Sequence, residues 1–97
     1  MVNKSGFQNA QEMHKLHPDT FWCPGNEELD RIEVGGYVKV ATDNDFAERF
    51  WVHVTHVEGA FITGTVHNDL VRTQFHGWKF GDTLKVHRNN VYDVMED

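Results

Sequence analysis

The sequence lacks several features that would place it in a familiar class of protein. Its 97 residues contain one cysteine, which excludes an internal disulfide. Residues 1–8 lack the apolar core of a secretory signal, and every apolar run is far shorter than the roughly 20 residues of a membrane span. The chain is also too short to bury two cores. We therefore expect one soluble domain in a reducing cytoplasm, with no membrane partner.

Positive charge is scarce as well. Nine Lys and Arg stand against 15 Asp and Glu, giving a formal net charge of −6, and the basic residues are scattered singly. Because neutralising phosphates requires clustered Lys and Arg, this balance predicts no nucleic-acid partner. Large core-forming residues, in contrast, are plentiful: seven Phe, three Trp and two Tyr. A chain of this composition is expected to fold by itself.

The N-terminal part, residues 1–34, predicts short helices and loops. Residues 8–16 favour a helix, and His17-Pro18 ends it because the residue before proline avoids the helical region. Residues 26–31 predict one polar helical turn with Asn26 as its N-cap. We expect the first helix to pack against the remainder of the chain.

From Gly35 onward, short alternating runs separated by glycine predict antiparallel strands. Glu58-Gly59 is expected to join two of them as a tight hairpin, since glycine supplies the positive φ of such a turn. The five predicted strands span residues 37–41, 49–57, 60–67, 83–87 and 91–94. The predicted fold is α+β: a strongly bent antiparallel sheet of about five strands, close to a small barrel, with an N-terminal helix. We expect residues 1–97 to form a single domain, in which 1–34 pack on the sheet of 35–97.

The histidines and the cysteine are the candidate metal ligands and catalytic groups of the chain. His53 and His56 are three apart in a predicted strand, where alternation puts them on opposite faces, so they cannot chelate one metal. His14 and His17 lack a third ligand. Cys23 could act as a nucleophile only with a histidine that the sequence does not identify, and a buried inert thiol is the favoured interpretation. The sequence predicts no catalytic residue, no metal and no cofactor.

Two regions contain candidate binding residues. Alternation places Trp51 on the face opposite the core, where the N-terminal helix covers it or it contributes to a contact surface. The segment from His67 to Trp78 is the longest connection between strong strands, and long loops in compact domains are frequently functional. Its aromatics could instead cap the core. The candidate residues of this loop are Asn68, Asp69, Arg72, Phe75, His76 and Trp78.

The order of several short motifs is similar to a known family. They are Arg49-Phe50-Trp51-Val52, Gly64 followed by Asn68-Asp69, Gly81-Asp82, and Val91-Tyr92-Asp93-Val94. Between about Thr20 and Val94 the chain resembles the bacterial domain-of-unknown-function family typified by the YegJ proteins. The chain has Leu70-Val71 where that family usually has proline after Asn-Asp. The resemblance implies a compact α+β module of bacterial or phage proteins with no established activity, and it assigns no catalytic residue.

These observations favour a non-enzymatic binding module that engages a protein partner through Trp51 and the 68–78 loop. The alternative is a small-ligand binder or phage-encoded inhibitor of a host system, which needs a concave pocket lined by Asn68, Asp69, His76 and Trp78. A third hypothesis is a cysteine-histidine hydrolase built on Cys23, for which no positioned triad is evident. The sequence does not indicate an oligomeric state.

Overall fold

A computed structural model describes residues 4–95 of the chain. It contains three short α-helices, five strands and one 3₁₀ helix. In chain order these are α1 (Ala10–Leu16), α2 (Asn26–Leu29), β1 (Tyr37–Ala41), β2 (Arg49–Glu58), β3 (Phe61–Val66), α3 (Thr73–His76), β4 (Thr83–His87), the 3₁₀ helix (Arg88–Asn90) and β5 (Asp93–Met95).

The five strands form one antiparallel sheet in the order β4-β3-β2-β1-β5. The first four strands follow one another as a meander, and β5 returns to pair with β1. The predicted α+β class, five-stranded antiparallel sheet and N-terminal helix are therefore confirmed. Within the described residues the sheet is open, with β4 and β5 as its two edges.

The predicted hairpin joins β2 and β3, with its loop one residue later than expected. β2 continues through Glu58 and β3 begins at Phe61, so the loop is Gly59-Ala60. Gly59 has φ of +60°, a torsion that glycine adopts without a steric penalty. A two-residue loop with glycine first is a favoured connection because its twist matches that of the strands.

A β-bulge in β2 changes which face its histidines occupy. His53 pairs with Thr65 and His56 pairs with Thr63, so Thr55 is an extra residue without a partner in β3. The bulge interrupts the alternation of side chains. Because directly paired residues share a face, His53 and His56 lie on the same side of the sheet, and the prediction of opposite faces was wrong.

The core covers one face of the sheet, here called the inner face. Its strand residues are joined by Leu29 from α2, by Trp78 from the loop before β4 and by Val91 after the 3₁₀ helix. The buried strand residues are Val38, Val40, Phe50, Val52, Val54, Ile62, Val66, Leu84 and Val86. These positions are the apolar halves of the alternating runs in the sequence.

The opposite side, the outer face, is covered at one end only. Ala10 of α1 is buried there with Ala41 of β1 and with Tyr92, and Phe21 and Cys23 pack against them. Trp51 is not a member of this cluster. It remains half-buried, with the Lys39 ammonium 4.9 Å from its ring.

The helix boundaries follow local capping. α1 begins after Asn9, whose side chain accepts a hydrogen bond from the Glu12 amide at 3.0 Å, and it ends just before His17. Gly25 is the N-cap of α2, so Asn26 is its first helical residue and the prediction of Asn26 as the cap was wrong. None of the helices among residues 4–95 combines the length and the apolar character needed to cross a membrane.

Candidate functional site

The loop between β3 and β4 is fixed to the molecule by the carboxylate of Glu48. Glu48 lies immediately before β2, and its side chain is 13% exposed. One carboxylate oxygen accepts a hydrogen bond from the Val71 amide at 3.0 Å. The other accepts from the Arg72 amide at 2.9 Å and from His76 Nε2 at 2.8 Å. One side chain therefore connects the β1–β2 loop to three points of the 68–78 loop.

His76 is fully buried and has both ring nitrogens occupied. Its Nδ1 accepts a hydrogen bond from the Trp78 amide at 3.0 Å, so the ring hydrogen is on Nε2, which donates to Glu48. Burial alone would raise the pKa of the Glu48 carboxyl. The hydrogen bonds from His76 and from the Val71 and Arg72 amides outweigh this effect, so the pKa of Glu48 lies below its ordinary value.

Trp78 belongs to the core. It is 8% exposed, and its indole N–H donates to the Ser5 carbonyl at 3.1 Å. Its ring lies 5.4 Å from that of Phe7, and the Ser5 amide donates to the His76 carbonyl at 2.9 Å. The N-terminal segment and the end of the loop thus close the core together.

Two phenylalanines remain outside this packed region. The rings of Phe46, in the β1–β2 loop, and Phe75, in α3, stack with centroids 4.3 Å apart and an interplanar angle of 28°. They are nevertheless 52% and 40% exposed. Val71 is 81% exposed, and the exposed Arg72 side chain bonds the Ala47 carbonyl at 3.4 Å. We call Phe46, Val71, Arg72 and Phe75 the aromatic patch.

The residues predicted from the sequence fall into two groups. Asp69, Arg72 and Phe75 are exposed. The other four have structural contacts: Trp51 donates its amide hydrogen to Asn68 Oδ1 at 2.6 Å, and His76 and Trp78 are buried. Within the loop, only the first group presents side chains that a partner could reach without rearrangement. The Trp51 bond uses its backbone amide, and the Trp51 ring stays half-buried on the outer face.

Sequence analysis missed Phe46 and Glu48. Phe46 directly follows the polar segment Asp43-Asn44-Asp45, and this position was a detectable signal, because an aromatic residue in a polar loop has few local apolar side chains to pack with. Glu48 had no comparable signal. Its partners are 23 to 28 residues away in the chain, and only the fold brings them together.

The other candidate centres are not assembled into a site. Cys23 is half-buried, and burial, together with the nearby Glu28 carboxylate, raises the pKa of its thiol. A raised pKa lowers the thiolate fraction that nucleophilic attack needs. Among residues 4–95 there is no group of three or more His, Cys, Asp or Glu side chains that could hold a metal ion.

Among the grooves formed by the described residues, three lie away from the 68–78 loop. One is lined by Glu28, Arg31, Val94 and Met95; a second includes Leu29 and Val57; a third runs along α1 beside Asn89. None of the three is lined by the four residues that the small-ligand hypothesis requires. The polar groups of Asn68, His76 and Trp78 are instead bonded within the chain.

Comparison with known proteins found no match: no family model, no curated protein and no solved structure is significantly similar to the chain. The resemblance of residues 20–94 to the YegJ-type family consequently stays a prediction.

Proposed function

We propose that the protein is a non-enzymatic binding module whose aromatic patch engages a protein partner. The observation that carries this proposal is the Phe46–Phe75 stack, which stays about half exposed while both loops that carry it are fixed by Glu48. Interfaces concentrate their energy in a few aromatic and Arg anchors, and the patch contains two aromatics and one Arg.

The rigidity of the patch supports binding in particular. Exposed aromatics on a mobile loop would lose conformational freedom when a partner docks, which weakens association. Here Phe75 lies one residue before the buried His76, and Phe46 lies two residues before Glu48. These side chains therefore lose most of their conformational entropy when the chain folds and little more when a partner binds. Folding in turn leaves two apolar rings exposed to water.

The finer features of the fold belong to the same proposal. The chain passes from β4 to β5, the two edges of the sheet, through only residues 88–92, which include a 3₁₀ helix. A flat five-stranded sheet separates its edges by about 19 Å, whereas so short a connection reaches roughly 16 Å. We propose that the sheet is therefore strongly bent toward a small barrel. The proposal also includes a cytoplasmic location and a bacterial or phage origin for this module.

A photo-crosslinking experiment tests the proposed function. A photoreactive phenylalanine analogue replaces Phe75, and in a matched protein it replaces Phe61, which is 47% exposed on the outer face. We expect position 75 to give a discrete crosslinked protein in cells. An excess of unlabelled wild type should suppress this product, and the unlabelled Phe46→Ser/Phe75→Ser variant should not. Equal suppression by both competitors, or the same product from position 61, would contradict the proposal.

A further inference from the structure

The outer face of the sheet carries a second set of features, distinct from the aromatic patch. We propose that this face, centred on Tyr37, Trp51 and His53, binds single-stranded nucleic acid. Bases would stack on its rings, and its Lys and Arg side chains would contact the phosphates. The inference is independent of the proposed protein partner.

The first supporting feature is a group of rings from three neighbouring parts of the sheet. Tyr37 of β1 lies 5.2 Å, between ring centroids, from both His53 of β2 and His67 after β3. His53 and His67 are 6.0 Å apart, and Phe80 extends the group 6.1 Å beyond His67. His67 is exposed and Phe80 is 58% exposed. The outer face therefore exposes the rings of His67 and Phe80 to solvent, beside the half-buried rings of Tyr37 and His53.

The second feature is the pairing of cations with rings on the same face. The Lys39 ammonium lies 4.9 Å from the Trp51 ring, and that of Lys85 lies 5.0 Å from the Phe61 ring. Lys39 and Trp51 are direct partners across β1 and β2. Aromatic side chains interleaved with positive charge are what proteins use to hold single strands without reading their sequence.

The third feature is the charge of this face, which differs from that of the whole chain. By strand register its positive residues are Lys39, Arg49 and Lys85, and its acidic residues are Glu58 and Asp93. Arg49 lies at the covered end, where its guanidinium is 4.7 Å from the Tyr92 ring. Three positive against two negative charges give a balance of +1, whereas the whole chain carries −6. The prediction of no nucleic-acid partner was based on the net charge of the whole chain. That value combines the outer face with the more acidic remainder of the chain.

A single strand fits this chemistry better than a duplex does. Within residues 4–95 the outer face carries no projecting helix or basic ridge that would follow a groove, and three cations neutralise only a few phosphates. Unstacked bases, in contrast, can lie directly on exposed rings, as they do on other sheet platforms that hold two or three bases.

Fluorescence anisotropy with labelled 12-mers of oligo(dT) and oligo(rU) tests the proposal on the full chain. With about three phosphates neutralised, the logarithm of the affinity should fall with a slope of about −2 against the logarithm of salt. That slope is about a 16-fold loss of affinity between 50 and 200 mM. The two oligomers distinguish DNA from RNA as the source of the strand.

Two pairs of variants locate the binding surface. Lys39→Gln/Lys85→Gln should weaken binding at least tenfold and reduce the slope to about −0.7, because one contact remains. Lys15→Gln/Arg31→Gln removes the same charge from exposed positions elsewhere and should leave the affinity within twofold. Phe80→Ala should weaken binding, whereas Phe46→Ala, at a similarly exposed ring, should not.

Three results would overturn the assignment. The first is an absence of binding at 100 μM wild-type protein in 50 mM salt. The second is an equal loss of affinity in the two charge variants, which would indicate attraction unrelated to the outer face. The third is displacement of the oligomer by polyglutamate at the same charge concentration, which would assign the face to acidic peptides.

Discussion

Truncating Glu48 to alanine tests the claim that one carboxylate holds the 68–78 loop in place. The change removes the acceptor of three hydrogen bonds, two from backbone amides and one from His76 Nε2. Water can replace the carboxylate at the amides of Val71 and Arg72, since these bonds lie at the surface. It cannot readily reach the His76 ring, which is fully buried.

The magnitude follows from these three contacts. Leaving the His76 N–H unsatisfied costs about 1–3 kcal/mol, and exchanging two amide bonds to a charged group for bonds to water costs roughly another 1 kcal/mol. We therefore expect Glu48→Ala to lower the free energy of unfolding by about 2–4 kcal/mol. Urea denaturation followed by tryptophan fluorescence measures this loss.

Glu58→Ala is the matched control. Glu58 is also a glutamate next to a histidine, 3.5 Å from His56 Nε2, but its side chain is 82% exposed. Exposed ion pairs contribute little, so this variant should stay within about 0.5 kcal/mol of the wild type. A loss below about 1 kcal/mol for Glu48→Ala, or equal losses for both variants, would refute the reasoning.

Further predictions use the same denaturation measurement. Trp78→Ala should cost about 3–5 kcal/mol because the ring fills the core, and a loss below 1 kcal/mol would mean that it does not. Gly64→Ala should destabilise by about 1–3 kcal/mol or more, since its Cβ would meet the His53 carbonyl oxygen. The Cβ of Gly25→Ala meets nothing within 4 Å, and this change at the N-cap of α2 should cost less than about 1 kcal/mol. Gly59→Val should cost about 1–3 kcal/mol through its φ of +60°. The pKa of Glu48 in the folded state lies below its ordinary value of 4.5. The ionised carboxylate therefore stabilises the fold above pH 4.5, and this contribution is lost as the pH falls through the folded-state pKa. The stability difference between wild type and Glu48→Gln should accordingly shrink from pH 7 to pH 3, and a constant difference would contradict this.

Much of the sheet could be predicted because the residue patterns that specify its strands and its hairpin turn lie within those segments themselves. The alternation in β1 and β4 gave their observed bounds, residues 37–41 and 83–87, and Gly59 marked the hairpin. The bulge at Thr55 could not be predicted in the same way. It depends on how β2 pairs with β3, and a single extra residue reverses the face of every later side chain in the strand.

The candidate site was only partly predictable for a related reason. The 68–78 loop was identified by its length and its residue types, but these do not reveal which side chains turn inward. His76 and Trp78 are buried because Glu48 and the Ser5 carbonyl offer partners that are distant in the chain. Phe75, of similar chemistry and adjacent in sequence, is exposed. Burial in this loop is decided by tertiary hydrogen bonds, which residue type alone does not specify.

The affinity of the Phe75→Ala variant for the crosslinked partner tests the central claim most directly. With that partner purified, calorimetric titration should show an affinity at least tenfold lower than that of the wild type, equivalent to about 1.4 kcal/mol. Phe80→Ala, which removes an exposed ring from the outer face, should bind as the wild type does. An unchanged affinity for Phe75→Ala, measured on protein whose urea midpoint shows that it is folded, would contradict the assignment of the aromatic patch as the partner-binding site.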